Sequence, residues 1–142
     1  MPQEGRRVWD TKIVVVVRED LAVWQKLNVT AFAVSGIAAT VEDVVGERYR
    51  DATGNDYLPM FRQPVMVFAA SAEKLKAVHE RALSRDVPMA LYTEDLFATN
   101  NDEDNRAAVA AVDATKLNVA GLALRADRRT VDKIVKGLSL HS

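Results

Sequence analysis

Lys12-Ile13-Val14-Val15-Val16-Val17-Arg18 is the stretch whose reading decides the fold class. An unbroken β-branched run between charged ends is the pattern of a strand covered on both faces, not of one with a wet side. A strand of that kind belongs inside a sheet with helices above and below it. Residues 1–11 before it read as an N-terminal extension.

Downstream, Glu19 to Leu27 reads as a loop, followed by a long helix. Val29, Phe32, Ala33, Ile37, Thr40, Val41, Val44 and Val45 recur at helical spacing. The opposite side carries Thr30, Ala31, Val34, Ser35, Ala38 and Ala39, so the helix is uncharged nearly all round and is expected to be buried. Residues 46–63 form the longest expected loop, with Gly46, Gly54-Asn55 and Pro59 as turn formers. A loop of that length is a candidate for function or mobility. Val65 to Ala69 is a second strand. Ser71 caps a helix striped by Leu75, Val78, Ala82 and Leu83. Val87 to Tyr92 is a third strand, and Asn100, Asn101 and Asp102 offer caps for a helix reaching about Val112. Val119 to Leu124 is a fourth strand. Asp127 caps a last helix, with Gly137 as its stop. The alternation of strand and helix predicts an α/β sheet covered on both faces.

The 142 residues suit a single domain, 1–142, whose core needs no disulfide or metal. There is no cysteine, which excludes thiol catalysis and thiolate metal sites. Nineteen Lys and Arg against 20 Asp and Glu give a net charge of −1, unlike a generally basic nucleic-acid binder. No signal segment is visible. The longest uncharged apolar stretch, 27–41, falls short of the roughly 20 residues that span a bilayer. A cytoplasmic protein without a membrane role is expected. Neither GxGxxG nor GxxxxGK[ST] occurs, so nucleotides lack their usual phosphate cradle and no cofactor is implied. The two histidines, His79 and His141, lie far apart in sequence. They suggest no metal site, and His79 is expected at the surface or boundary of its helix.

Ligands of such sheets sit outside the carboxyl ends of parallel strands. Arg18, Trp24, Lys26 and Asn28 follow the first strand, and Asp95, Phe97 and Thr99 follow the third. Were those strands adjacent and parallel, Lys26 and Asp95 would meet at one rim, where a lysine beside a carboxylate can orient water or a carbonyl. The plainer reading is a surface ion pair. Trp24 and Phe97 either line an apolar pocket or seal the loop against the core. Asn28 either faces a ligand or caps its helix. Glu94, Asp95, Asp102, Glu103 and Asp104 make an acidic cluster. Lys116, Arg125, Arg128, Arg129, Lys133 and Lys136 outnumber Asp127 and Asp132 near the end.

KIVVVVRED, the Trp24–Asn28 segment, NVTAFAVSGIAATV, Val87–Phe97 and Gly137–His141 together resemble the domain-of-unknown-function 2000 family over most of the chain. That family is similar in fold to type II peptidyl-tRNA hydrolases. The resemblance implies a three-layer α/β/α sandwich on a four-stranded mixed sheet with the last strand antiparallel, and a homodimer. Lys26, Asp95 and Thr99, which match hydrolase motif positions, are the candidate catalytic set, and Arg18, Trp24, Asn28 and Phe97, from the loops after the strands, are candidate ligand contacts. Phe32 and Ser35 stand where the hydrolases carry glutamine and histidine. Leu96, Phe97 and Ala98 replace the middle of their Asp-Ala-Gly-Arg-Thr segment. With that arginine gone and acids around it, nucleic acid is not an expected partner. The expected function is small-molecule or peptide binding, with any enzyme chemistry being hydrolase-like. Residual peptidyl-tRNA hydrolysis and a non-enzymatic dimeric interaction module are the alternatives.

Overall fold

Strand β1 (Thr11–Arg18) runs through the middle of the molecule, and Ile13 to Val17 have no accessible surface. The computed structural model describes residues 9–142. Most of the expected N-terminal extension therefore lies outside the described residues. Side chains alternate along a strand, so Ile13, Val15 and Val17 point to one face and Val14 and Val16 to the other. Each face needs its own cover, and each has one.

The first face is covered by α1 (Val23–Thr40), whose Val29, Ala33 and Ile37 are buried against Ile13, Val15 and Val17. The second face is covered by α2 (Ala72–Ser84) and α4 (Arg128–Ile134), through Leu75, Val78, Ala82, Val131 and Ile134. Between them in sequence, α3 (Asp102–Ala110) lies on the α1 side and adds the partly buried Ala108 and Val109.

Two short strands, β2 (Tyr49–Arg50) and β3 (Asp56–Tyr57), pair as a separate hairpin inside the expected 46–63 loop. A Val45–Phe61 bridge closes that hairpin's base. Asp51 ties its tip, accepting bonds from the amides of Thr53, Gly54 and Asn55, from the Asn55 side chain and from the Tyr57 hydroxyl.

The main sheet has five strands, not four. β4 (Val65–Ala70), β5 (Met89–Thr93), β6 (Val119–Asp127) and β7 (Ser139–Leu140) join β1 in the order β5-β6-β1-β4-β7. The extra strand has only two residues, too few to show an alternation in sequence. β1 and β4 are parallel, with Val16 opposite Phe68. β6 is antiparallel to both β1 and β5, and β7 is antiparallel to β4. The expected neighbourhood of the first and third strands is thus corrected: β6 lies between β1 and β5. Val119 to Leu124 are all buried, which demands a neighbour on each side, whereas β5 follows Pro88 and takes the edge.

Three local readings change as well. Helix α1 ends at Thr40, short of Val44 and Val45, and is buried on one face only, through Val29, Ala33 and Ile37, while Trp24, Leu27 and Phe32 stay exposed. Helix α1 starts at Val23, five residues before Asn28, so Asn28 is not its cap. No side chain at Ala22 can cap it; instead the Gln25 side chain accepts from the Ala22 amide at 3.0 Å. His79 is 4% exposed, buried on the inner face of α2 instead of sitting at its boundary. Ser71, Asn101 and Asp127 cap their helices as their positions suggest.

Candidate functional site

The early start of α1 places Trp24, Asn28 and Phe32 at i, i+4 and i+8, one above another on a single face. That face looks toward the end of β5 and a short 3-10 turn, Glu94–Ala98. Tyr92 comes from the strand and Phe97 from the turn. The four rings form a continuous row. Trp24 meets Phe97 with centroids 6.0 Å apart and nearly perpendicular, Phe97 meets Tyr92 at 5.1 Å, and Tyr92 meets Phe32 at 5.7 Å. These are favourable edge-to-face or tilted aromatic geometries.

Together with α3 the row walls a groove of about 930 Å³. Trp24 and Phe32 remain 62% and 53% exposed, so two aromatic surfaces stand open to solvent within it. Polar groups converge on the same space. The Asn28 amide donates to the Tyr92 hydroxyl at 3.3 Å. Burial raises the Tyr92 pKa, and the Asn28 bond only partly offsets this, so the phenol keeps its proton at neutral pH. With Asn28 as donor, that proton remains for another acceptor. The Thr99 hydroxyl contacts Leu96 O at 3.0 Å and the Asn105 side chain. Arg106, paired with Asp102 one turn earlier, completes the lining.

Trp24, Asn28, Phe97 and Thr99 are therefore brought together. Lys26 and Asp95 do not join them. Lys26 points to the other side of α1, where its Nζ lies 3.4 Å from His141 Nε2 in a separate crevice. Asp95 is exposed and lines neither concavity. Arg18 is 8% exposed and holds a structural cluster together. Its Nε donates to Asp20 at 2.6 Å, and its Nη1 reaches Asn118 Oδ1 and Glu94 Oε2, each at 2.9 Å. Asn118 also donates to Glu94 at 2.8 Å, closing the cluster. The Arg18 bond lowers the Asp20 pKa. This clamp ties the end of β1 to the beginnings of the 3-10 turn and of β6.

Part of the acidic cluster thus has a structural use, with Glu94 in the clamp and Asp102, Glu103 and Asp104 in the first turn of α3. Among the described residues, no group of three His, Cys, Asp or Glu is arranged to hold a metal ion, and no helix is long and apolar enough to cross a membrane. Phe32, Tyr92, Asn105 and Arg106 are groove residues that the sequence reading passed over. The i, i+4, i+8 spacing of Trp24, Asn28 and Phe32 was a usable signal for the first of them, had Gln25 been read as the helix's N3 residue.

A family model described as "Protein of unknown function (DUF2000)" matches residues 11–142. Among solved structures, the chain is similar to a protein of unknown function from Agrobacterium tumefaciens strain C58. The two share 50% sequence identity and a TM-score of 0.93, over 95% of this chain and 100% of that one. No curated protein matches the chain.

Proposed function

The chain belongs to the DUF2000 family, and from that premise and the groove we propose a binding protein for a small molecule with a flat apolar body and a hydrogen-bonding edge. The observation that carries this reading is the row Trp24–Phe97–Tyr92–Phe32, open to solvent at Trp24 and Phe32. Soluble proteins do not commonly leave two such rings exposed in one concave, mostly apolar space unless something covers them. The volume is in the range that holds a drug-sized molecule. The Tyr92 hydroxyl proton and the amides of Asn28 and Asn105 would set the ligand's orientation.

Trp24 is also the reporter. In a Trp9→Phe background it is the one remaining tryptophan. A panel of benzamides and indole carboxamides is expected to contain members that quench and blue-shift its emission saturably. Phe97→Ala should weaken that binding about tenfold, the loss of about 1.4 kcal/mol of ring contact. A panel that leaves the emission unchanged, or a Phe97→Ala protein that binds as well as its parent, would remove the reading. The hydrolase alternative has less support, because Lys26, Asp95 and Thr99 do not share one concavity.

A further inference from the structure

We propose that the crevice beyond the carboxyl ends of β1 and β4 binds a compact oxyanion, a phosphate or carboxylate group, through the ammonium groups of Lys26 and Lys74, with His141 holding Lys26 in place. The site is distinct from the aromatic groove and does not depend on it.

The topology supplies the first argument. Strands β1 and β4 are the parallel neighbours of the main sheet. The chain leaves β1 for α1 on one face, and leaves β4 for α2 on the other. Two adjacent parallel strands whose helices depart to opposite faces open a crevice between their ends, the place where α/β sheets bind ligands. A cavity of about 420 Å³ lies there, bounded by Glu19 after β1, by Ala70 and Ser71 after β4, and by the returning tail.

The charges supply the second. Lys26 is the single ionic residue among the 18 of α1, and it faces this crevice. Lys74, in the first turn of α2, reaches it from the other side. His141 is delivered by the tail. Gly137, at φ +87°, turns the chain after α4, β7 pairs with β4, and the His141 amide donates to Val67 O at 2.8 Å. Two lysines thus converge from two elements, with the imidazole beside Lys26, on a crevice whose lining also includes the Glu19 side chain and Ser142.

The donors are also oriented. His141 Nδ1 lies 2.9 Å from Ser142 O, which assigns the proton to that nitrogen. Nε2 then accepts from Lys26 at 3.4 Å. This holds the ammonium at the mouth of the crevice with two of its three N–H groups left for a ligand. Lys74 adds a second ammonium. Charge-assisted bonds to an oxyanion from such a pair are the stronger kind.

The test is a titration of the whole protein with inorganic phosphate and, separately, with acetate, each against chloride at equal ionic strength. Imidazole NMR signals give the readout, because His141 lies at the site while His79 is buried in α2 and serves as the internal control. The expected result is a saturable shift of the His141 signal, half complete below ~10 mM, with the His79 signal unmoved. Lys26→Ala and Lys74→Ala should each weaken binding about tenfold, while Lys133→Ala leaves it unchanged. Tighter binding of phosphate than of acetate identifies a phosphate-bearing ligand, and the reverse a carboxylate. Absence of a saturable shift with either anion overturns the proposal. So does wild-type affinity in both lysine variants, or an equal loss in Lys133→Ala.

Discussion

Arg18 stands at the end of β1 as a charge that the fold removes from water and then satisfies with Asp20, Glu94 and Asn118. In sequence it looks like a ligand-facing cation after a strand; in the fold its Nε and Nη1 are committed to Asp20, Asn118 and Glu94. Arg18→Ala takes the cation away from Glu94 and Asp20 and the donor away from Asn118 Oδ1, leaving only the Asn118–Glu94 bond of the cluster. Because Asp20 and Glu94 are about half exposed or more, solvent screens part of the loss. The expected destabilisation is about 2–3 kcal/mol, read from the urea midpoint at constant slope. Arg18→Lys should recover little of it, since an ammonium cannot serve three partners in one plane. The acid side has a definite sign. The folded-state pKa of Asp20 is lowered by Arg18, that of Asp127 by the Thr130 hydroxyl and amide, and that of Asp51 by Asn55 and Tyr57. A carboxylate whose pKa falls on folding contributes stability above its unfolded value and loses it as pH drops through its folded one. Stability is therefore expected to be level through neutral pH and to decline below about pH 4. Asp20→Asn should be less stable at pH 7 and flatter in acid, as urea melts across that range would show.

Helix α1 and strand β6 approach closely, and Gly121 is the reason they can. A Cβ there would stand 2.5 Å from Val29 Cγ1 and 2.9 Å from Val16 O. The second neighbour is backbone and cannot yield by rotating. Gly121→Ala is expected to cost about 1–3 kcal/mol by overpacking, seen as a lower Tm. The same change should widen the aromatic groove, since Asn28 and Phe32 ride on α1 next to Val29. A second glycine acts on the opposite side. Gly137 sits at φ +87° with open space around it, so Gly137→Ala meets backbone strain alone, about 1–2 kcal/mol. Its effect should include a weaker His141 response to phosphate, because the turn that delivers the tail is loosened. Neither role follows from composition: a glycine in a strand signals a close approach without naming the neighbour.

On the scale of the whole molecule, α1 separates two concavities. Trp24 and Lys26 are two positions apart, about 200° around a helix axis, so one faces the aromatic groove and the other the cationic crevice. Phe97→Ala is accordingly expected to weaken the ligand-dependent quenching of Trp24 while leaving the phosphate shift of His141 intact. Lys26→Ala should do the converse. If the two responses moved together in both variants, the sites would be one.

The covered sheet, the places of β1, β4, β5 and β6, and three of the helix caps are written locally. The unbroken apolar run from Ile13 to Val17 requires cover on both faces. Ser71, Asn101 and Asp127 offer side-chain acceptors at their helix starts. Local patterning also marked Trp24, Asn28, Phe97 and Thr99 as neighbours of a site, since loops after strands carry ligands. The start of α1 was hidden because its cap comes from Gln25 three residues inside the helix. Strand order was hidden because hydrogen-bond partners are chosen by the burial demands of whole strands: β6 needed two neighbours and separated β1 from β5. Lys26 and Asp95 stay apart because Lys26 lies on the side of α1 turned away from the 3-10 turn, where Trp24 meets Phe97 instead. The two-residue strand β7, invisible as a pattern, brings His141 to Lys26 instead. The residues capable of chemistry were thus set by the sequence, while their grouping was decided only by tertiary pairing, because contacts between distant segments depend on which elements compete for each edge and face.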